Sequence, residues 1–269
     1  MSYKRLPLAL LFLLFSVQVS FSQLGFSHEI GAIIGPVQFR SDYGIRNNEE
    51  TNFGNTGIGI GIIHYINFSY SAECNCYSTD TYFNDHFKLR SEISWNYTPL
   101  DHFGTYANAP RLKPHKGEAQ NFDIGMQLEY FPLSIRSFQA FTYRFAPFVS
   151  LGIHYVNYHP DSWTTFGTGN VMDPANIYGG FDLDDDFGWW DASDPPDYYP
   201  LNLDSGSTWS LVTSVGVRYK LTKLSDLMLD MRWQYYGSDW IDGLNHKLSY
   251  NKYNDWLLWL NFGYIYYLD

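Results

Sequence analysis

Phe87-Lys88-Leu89-Arg90-Ser91-Glu92-Ile93-Ser94-Trp95-Asn96-Tyr97 alternates residue by residue. Successive side chains of a strand point to opposite faces. One face therefore carries Phe87, Leu89, Ser91, Ile93, Trp95 and Tyr97, and the other Lys88, Arg90, Glu92, Ser94 and Asn96. Asn121–Tyr130 repeats the pattern, with Phe122, Ile124, Met126, Leu128 and Tyr130 against Asn121, Asp123, Gly125, Gln127 and Glu129. A strand with one greasy and one charged face leaves two architectures. A soluble sandwich or lipocalin-like barrel turns the apolar face inward. A transmembrane barrel turns it outward to lipid and keeps a polar interior.

Six further segments follow with less purity: His28–Phe39, ended near Pro36, then Thr56–Phe68, Phe145–Tyr155, Trp209–Leu221, Leu227–Tyr235 and a last run to Leu268. None shows sustained helical periodicity. These segments run to about 10 to 13 residues, longer than the usual globular strand of roughly 5 to 6 and close to the roughly 9 to 11 of a tilted membrane strand. Aromatics close the greasy faces, as with Trp95 and Tyr97, or Trp209 and Tyr219, in the manner of membrane-interface girdles. Gly57, Gly59 and Gly61 face inward and leave room inside a narrow barrel. The fold expected is all-β, a transmembrane antiparallel up-and-down β-barrel of about eight strands with long extracellular loops.

Composition agrees. The 269 residues include 23 Tyr, 20 Phe and 9 Trp, yet only 17% are charged and the mean hydropathy is -0.28. So many aromatics exclude disorder. No apolar run of the roughly 20 residues a helical span requires occurs beyond the start of the chain. There Lys4 and Arg5, an apolar Leu6–Val19 and a small-x-small Ser20-Phe21-Ser22 predict a signal peptide over residues 1–22, with a membrane anchor as the alternative. Residues 23–269 are then the barrel domain. An even strand number puts both termini in the periplasm. Outer loops are expected at Arg40–Asn55, Thr98–Gln120, Tyr158–Thr208 and Gly237–Tyr253, and inner turns at Ser69–His86, Phe131–Tyr143 and Thr222–Asp226.

The inward faces collect Lys88, Arg90, Glu92, Asp123, Glu129, Arg218, Lys220, Asp230 and Arg232. An eight-stranded lumen is just wide enough for side chains to fill it, and buried charges must pair. A packed network of ion pairs is the expectation, and a narrow ion pathway the alternative. The third outer loop, Tyr158–Thr208, holds ten Asp and no Lys or Arg, so the rest of the chain sums to only -1 of the formal net charge of -11. Within it Asp182, Asp184 and Asp186 have the alternating oxygens of a calcium loop. The match is partial, because Gly188 comes one position late and Ser193 stands where a bidentate Glu belongs. Calcium is the one candidate cofactor. Cys74 and Cys76, in the turn at Ser69–His86, are either a tight disulfide, free thiols or, with His64 or His86, a soft-metal site. Asp101-His102, and Ser150 with His154, are the pairs nearest to catalytic arrangements, and no enzyme is expected from them. There is no P-loop, dinucleotide fingerprint or basic patch, so nucleic acid is not a partner.

Gly25-Phe26-Ser27-His28-Glu29-Ile30-Gly31, Ser41-Asp42-Tyr43-Gly44, Arg46-Asn47-Asn48, Cys74-Asn75-Cys76, Asn84-Asp85-His86-Phe87-Lys88-Leu89-Arg90 and Gly125-Met126-Gln127-Leu128-Glu129-Tyr130-Phe131-Pro132 resemble an uncharacterised family of flavobacterial (Bacteroidota) exported proteins. The resemblance implies the outer membrane of a Gram-negative bacterium and brings no catalytic residue. The expected role is structural or accessory, as a subunit of a larger outer-membrane complex for secretion, gliding or barrel assembly. A narrow pore for ions or small solutes, and an outer-membrane enzyme acting on lipid or peptide, are the alternatives. The expected partners are outer-membrane lipid and lipopolysaccharide, and other outer-membrane proteins met through loop 158–208 or turn 69–86.

Overall fold

A computed structural model describes residues 26–46, 48–68, 82–103, 113–173, 176, 201–245 and 253–268. Eight strands form in chain order: β1 (Ser27–Arg40), β2 (Thr56–Asn67), β3 (Phe87–Asp101), β4 (Lys116–Tyr130), β5 (Phe145–Trp163), β6 (Gly206–Lys220), β7 (Ser225–Tyr236) and β8 (Trp256–Tyr267). Each pairs with its sequence neighbour, and β8 returns antiparallel to β1, so the sheet closes without an edge. Three short helices, α1 (Glu49–Gly54), α2 (Tyr82–His86) and α3 (Ile135–Gln139), lie in the connections.

The register sets the barrel's shape. From Glu29 the paired residues run through Tyr65, Arg90, Gln127, Gly152, Val212, Gln234 and Leu257, and return to β1 at Phe39. The circuit closes ten residues above its start, a shear of ten. With strand spacings near 4.7 Å and a rise of about 3.3 Å, that shear tilts the strands by roughly 40°.

Outward positions are apolar and exposed: Ile58, Ile60 and Ile62 on β2, Ile124, Met126 and Leu128 on β4, Val149, Leu151 and Ile153 on β5, and Leu227, Leu229 and Met231 on β7. This aliphatic band ends in aromatics on both sides. On β3, β5, β6 and β8 the outward aromatics lie ten residues apart, as Phe87 and Tyr97, Phe145 and Tyr155, Tyr219 and Trp209, and Tyr266 and Trp256. Ten steps at this tilt give roughly 25 Å along the axis. The row near the termini is continuous from β1 to β4, with ring contacts Phe26–Phe68, Phe68–Phe83, Phe83–Phe87 and Phe87–Tyr130 at 4.8 to 5.5 Å.

Several boundaries differ from the sequence expectation. Pro36 does not end the first strand, which continues to Arg40. Proline lacks a ladder donor. The pairing of β1 with β8 skips Gly35 and Pro36, while Pro36 keeps its place opposite Ile58 on β2. Four connections are shorter than expected. β3 runs on to Asp101 and β4 begins at Lys116, which trims Thr98–Gln120; β5 reaches Trp163 and β6 begins at Gly206, which trims Tyr158–Thr208. β1 trims the first loop at Arg40 by one residue, whereas β8 begins only at Trp256, so the last loop runs two residues past the expected Tyr253. β7 begins at Ser225, which draws Asp226 out of the turn and into the barrel wall. Above the apolar band the outward residues Asp101, Lys116, Glu118 and Gln120 are polar, so the apolar-out alternation that announces the strands lower down stops there.

The glycines do not leave open space. A Cβ on Gly59 would collide with the Trp259 ring and one on Gly125 with His154, while one on Gly61 would lie 3.0 Å from Ile33. Absent side chains on one strand admit large ones from another. At the closing seam the approach is between backbones, since a Cβ on Gly35 would overlap the Leu260 carbonyl oxygen. Gly35→Val is therefore expected to block seam closure and abolish the fast-migrating folded band of the unheated protein on gels. Ala32→Val, on the exposed face of the same strand, is expected to keep that band.

Candidate functional site

All nine charged residues assigned to the inward faces are buried in the lumen, none more than 2% exposed. Glu29 and Asp226 join them, so five cations meet six carboxylates. Glu29 follows the inward parity of β1, but its inward neighbours Ile33, Val37 and Phe39 are apolar and hide the alternation. Asp226 falls one residue inside a strand whose start is masked by turn-like sequence.

The charges form a chain of alternating sign. Lys88 and Arg218 hold the two oxygens of Glu29, at 2.5 and 2.6 Å. Arg218 continues to Glu129 at 3.7 Å, Glu129 to Arg90 at 3.4 Å, and Arg90 to Glu92 at 2.7 Å. Arg232 closes the chain with two bonds of 2.6 Å to Glu92. Asp230 sits beside Arg90 at 3.1 Å, and Asp226 beside Lys220 at 3.2 Å. Asp123 accepts from the amides of Gln234 at 2.7 Å and Asn96 at 3.2 Å. Aromatic faces cover the cations: Arg218 lies 4.1 Å from the Tyr65 ring, Lys220 3.8 Å from Tyr267 and Arg232 4.8 Å from Trp259. Side chains lining an open channel would be exposed, and these are buried.

Both ends of the lumen are stoppered. At the end bearing the termini, Ser134 caps α3 by accepting from the Ser137 N–H, and the helix lays Ile135 and Phe138 inward beside Phe131 and Phe148. At the opposite end, Phe39, Leu257, Leu100, Ile241, Leu244 and Leu201 are buried. The interior is thus ionic in its middle and apolar at its ends, not polar throughout.

The loop end gathers two further clusters around the segment after β1. Tyr43 packs against both His102 and His115, with ring centroids at 4.9 and 5.2 Å. A hydrogen-bonded chain joins His102 Nε2 to His115 Nδ1 at 2.9 Å, and His115 Nε2 to Ser162 Oγ at 2.7 Å. The Gly44 N–H donates to His102 Nδ1, so a neutral His102 carries its proton on Nε2. His115 must then accept at Nδ1 and donate from Nε2 to the serine. Burial holds His115 neutral, lowering its pKa to about 3. A histidine that donates to Ser162 is not its base, so the chain is a structural lock.

The second cluster is acidic. Asp42, Asp242 and Asp255 are buried and Asp239 half-buried beside them. Arg46 bonds Asp42 at 3.0 Å and Asp255 at 3.3 Å. Asp242 accepts from the backbone N–H groups of Asp42 and Leu244 at 2.6 and 2.8 Å. Burial pushes Asp242 up to about 7 and Asp239 up to about 6, and burial with repulsion from Asp242 and Asp42 raises Asp255 as well. The sequence reading missed this cluster because its members come from two loops at opposite ends of the chain, Asp42 after β1 and the other three between β7 and β8.

The remaining sequence candidates do not assemble into sites. Asp101 bridges Lys116 at 2.9 Å, while His102 turns to His115. Ser150 and His154 are separated by Gln127, which binds both. His64 pairs with His28 at 3.1 Å, and His86 with the Phe131 carbonyl at 2.6 Å. Cys74, Cys76, Asp182, Asp184 and Asp186, the signal peptide, and most of loop 158–208 and turn 69–86 lie outside the described residues.

No protein-family model and no curated protein matches the sequence. Among solved structures the chain is similar to Neisserial surface protein A (11% identity, 89% of this chain and 96% of that one, TM-score 0.44). It is also similar to the outer membrane protein OprG from Pseudomonas aeruginosa (12%, 90% and 97%, TM-score 0.42). A major outer membrane protein from Thermus thermophilus matches comparably (13%, 90% and 99%, TM-score 0.42). At such low identity these likenesses say nothing about activity.

Removing one partner from a buried ion-pair network strands the others, a loss of roughly 3–5 kcal/mol. Arg90→Met is expected to cost that much in urea unfolding from lipid vesicles. Adding Asp230→Asn is expected to return part of the loss, because it neutralises a carboxylate that the first change orphans.

Proposed function

We propose that this chain is a small outer-membrane β-barrel with a sealed lumen, which anchors a cap of loops at the cell surface and serves as a structural or accessory subunit of a larger outer-membrane assembly. The observation that carries the proposal is the inversion of the barrel. Paired charges fill the inside, and an aliphatic band of roughly 25 Å between two aromatic rows covers the outside. That height matches the roughly 25 Å apolar band of outer-membrane barrels. In water such an exterior would aggregate.

The connections support the orientation. At the end bearing the termini two of them are short, residues 131–144 and 221–224, whereas 164–205 connects β5 to β6 at the other end. Short turns face the periplasm in this class and longer loops face outward. The acidic, aromatic loop 158–208 is then extracellular and suited to a partner, and turn 69–86 with its two cysteines is periplasmic. Lipid and lipopolysaccharide cover the apolar band. The resemblance to flavobacterial exported proteins fits a machine for secretion, gliding or barrel assembly.

The sealed lumen weighs against the pore, and the direction of the His115–Ser162 hydrogen bond weighs against hydrolysis at that serine. The expected result in planar bilayers is no steady current, together with a stoichiometric outer-membrane partner retained by a tagged copy in mild detergent. A steady ohmic conductance makes the protein a pore, and a clean monomer defeats the accessory role.

A further inference from the structure

The acidic cluster at the loop end has an electrostatic deficit. Segments after β1, after β7 and before β8 bring four carboxylates together, and Arg46 is the cation bonded among them. Arg46 is also held by the carbonyl oxygens of Tyr253 and Asn254, which fixes it to one side. Arg40, half-exposed on β1, reaches the Arg46 carbonyl at 3.3 Å. Asp242 has both oxygens occupied by backbone N–H groups. Asp255 does not: Oδ1 meets Arg46, but Oδ2 is wholly buried and accepts no hydrogen bond. Asp239 Oδ1 is sheltered and unpartnered in the same way. One carboxylate oxygen from each of Asp42, Asp239 and Asp255 lies within 4.8 Å of the other two.

Buried carboxylate oxygens without donors are retained where a cation satisfies them. We propose that Asp42, Asp239 and Asp255 bind a divalent cation of the calcium class, with Asp242 as the buttress that fixes Asp42. The donors are hard oxygens, and calcium bonds of about 2.3–2.6 Å span such separations. Among the described residues, the four carboxylates when ionised and the Arg46 guanidinium leave an excess of three negative charges, which a divalent ion reduces to one. The ion would tie the β7–β8 loop to the β1–β2 loop directly above the seam where β8 meets β1. It fastens the point at which the barrel closes, whether or not the chain belongs to a larger assembly.

The sequence also offers the calcium-like run at Asp182, Asp184 and Asp186, so the test must distinguish the two sets of residues. Terbium, added to folded protein in detergent, is expected to show luminescence sensitised by the nearby Tyr253 and Trp256, displaced by calcium in about the 0.1–1 mM range of extracellular sites. Asp255→Asn is expected to weaken displacement by tenfold or more while the folded gel band persists. If Asp255→Asn fails to fold, the half-buried Asp239→Asn replaces it, with the same expectation. The triple change of Asp182, Asp184 and Asp186 to Asn is expected to leave the signal intact. No terbium signal in the unaltered protein overturns the proposal, as does a signal unchanged in both single variants or lost only in the triple variant.

Discussion

Arg218 and Arg90 each sit wholly buried between carboxylates, and the barrel is arranged around that fact. A charge in a dry interior is tolerated only with a partner at hydrogen-bond distance. Eight strands with a shear of ten give a lumen that side chains alone fill, so the partners must come from across the barrel. Glu29 on β1 meets Lys88 on β3 and Arg218 on β6, and Glu92 on β3 meets Arg232 on β7. These bonds cross the lumen and lock the register of strands that do not touch. A slip of one residue would throw every one of these charges outward.

The same constraint explains the rest of the wall. With the charges turned in, the outward faces must be apolar, and the aromatics collect at the two levels where an apolar medium would meet water. The ends of the lumen are closed by different means. Near the termini, α3 presses Phe138 and Phe131 against the cations Lys220, Lys88 and Arg218. At the loop end the chain after β1 does two jobs in adjacent residues, sending Asp42 into the carboxylate cluster and Tyr43 against two histidines. Function is therefore sought at the loop end and beyond it, because the lumen is committed to holding itself together.

The fold was largely legible from alternation. Phe87–Tyr97 and Asn121–Tyr130 showed a greasy and a charged face; eight of the nine inward charges read from such faces form ion pairs with one another or with Glu29 and Asp226, and Asp123 is held by amides. Legibility failed where alternation carries no signal. Pro36 looked like a strand end because a proline removes a donor, and only the partner strand shows that no donor is required there. Thr98–Asp101 and Lys116–Gln120 hide their strands differently: Asp101, Lys116, Glu118 and Gln120 face outward because water, not an apolar medium, surrounds them, while Leu100 and Ala119 turn inward. The loop-end carboxylates were invisible for a different reason. Asp42 and Asp255 are more than two hundred residues apart in sequence, and nothing local to either marks a shared site.

Spin labels placed singly along β4, from position 122 to 129, in vesicles and in a background with Cys74 and Cys76 changed to serine, address the inversion directly. Oxygen dissolved in lipid is expected to reach labels at Phe122, Ile124, Met126 and Leu128, most strongly near Met126. A water-soluble nickel complex is expected to reach none of the labels at Asp123, Gln127 and Glu129. Nickel access at those inward positions, or no alternation in oxygen access, would contradict a sealed barrel surrounded by lipid.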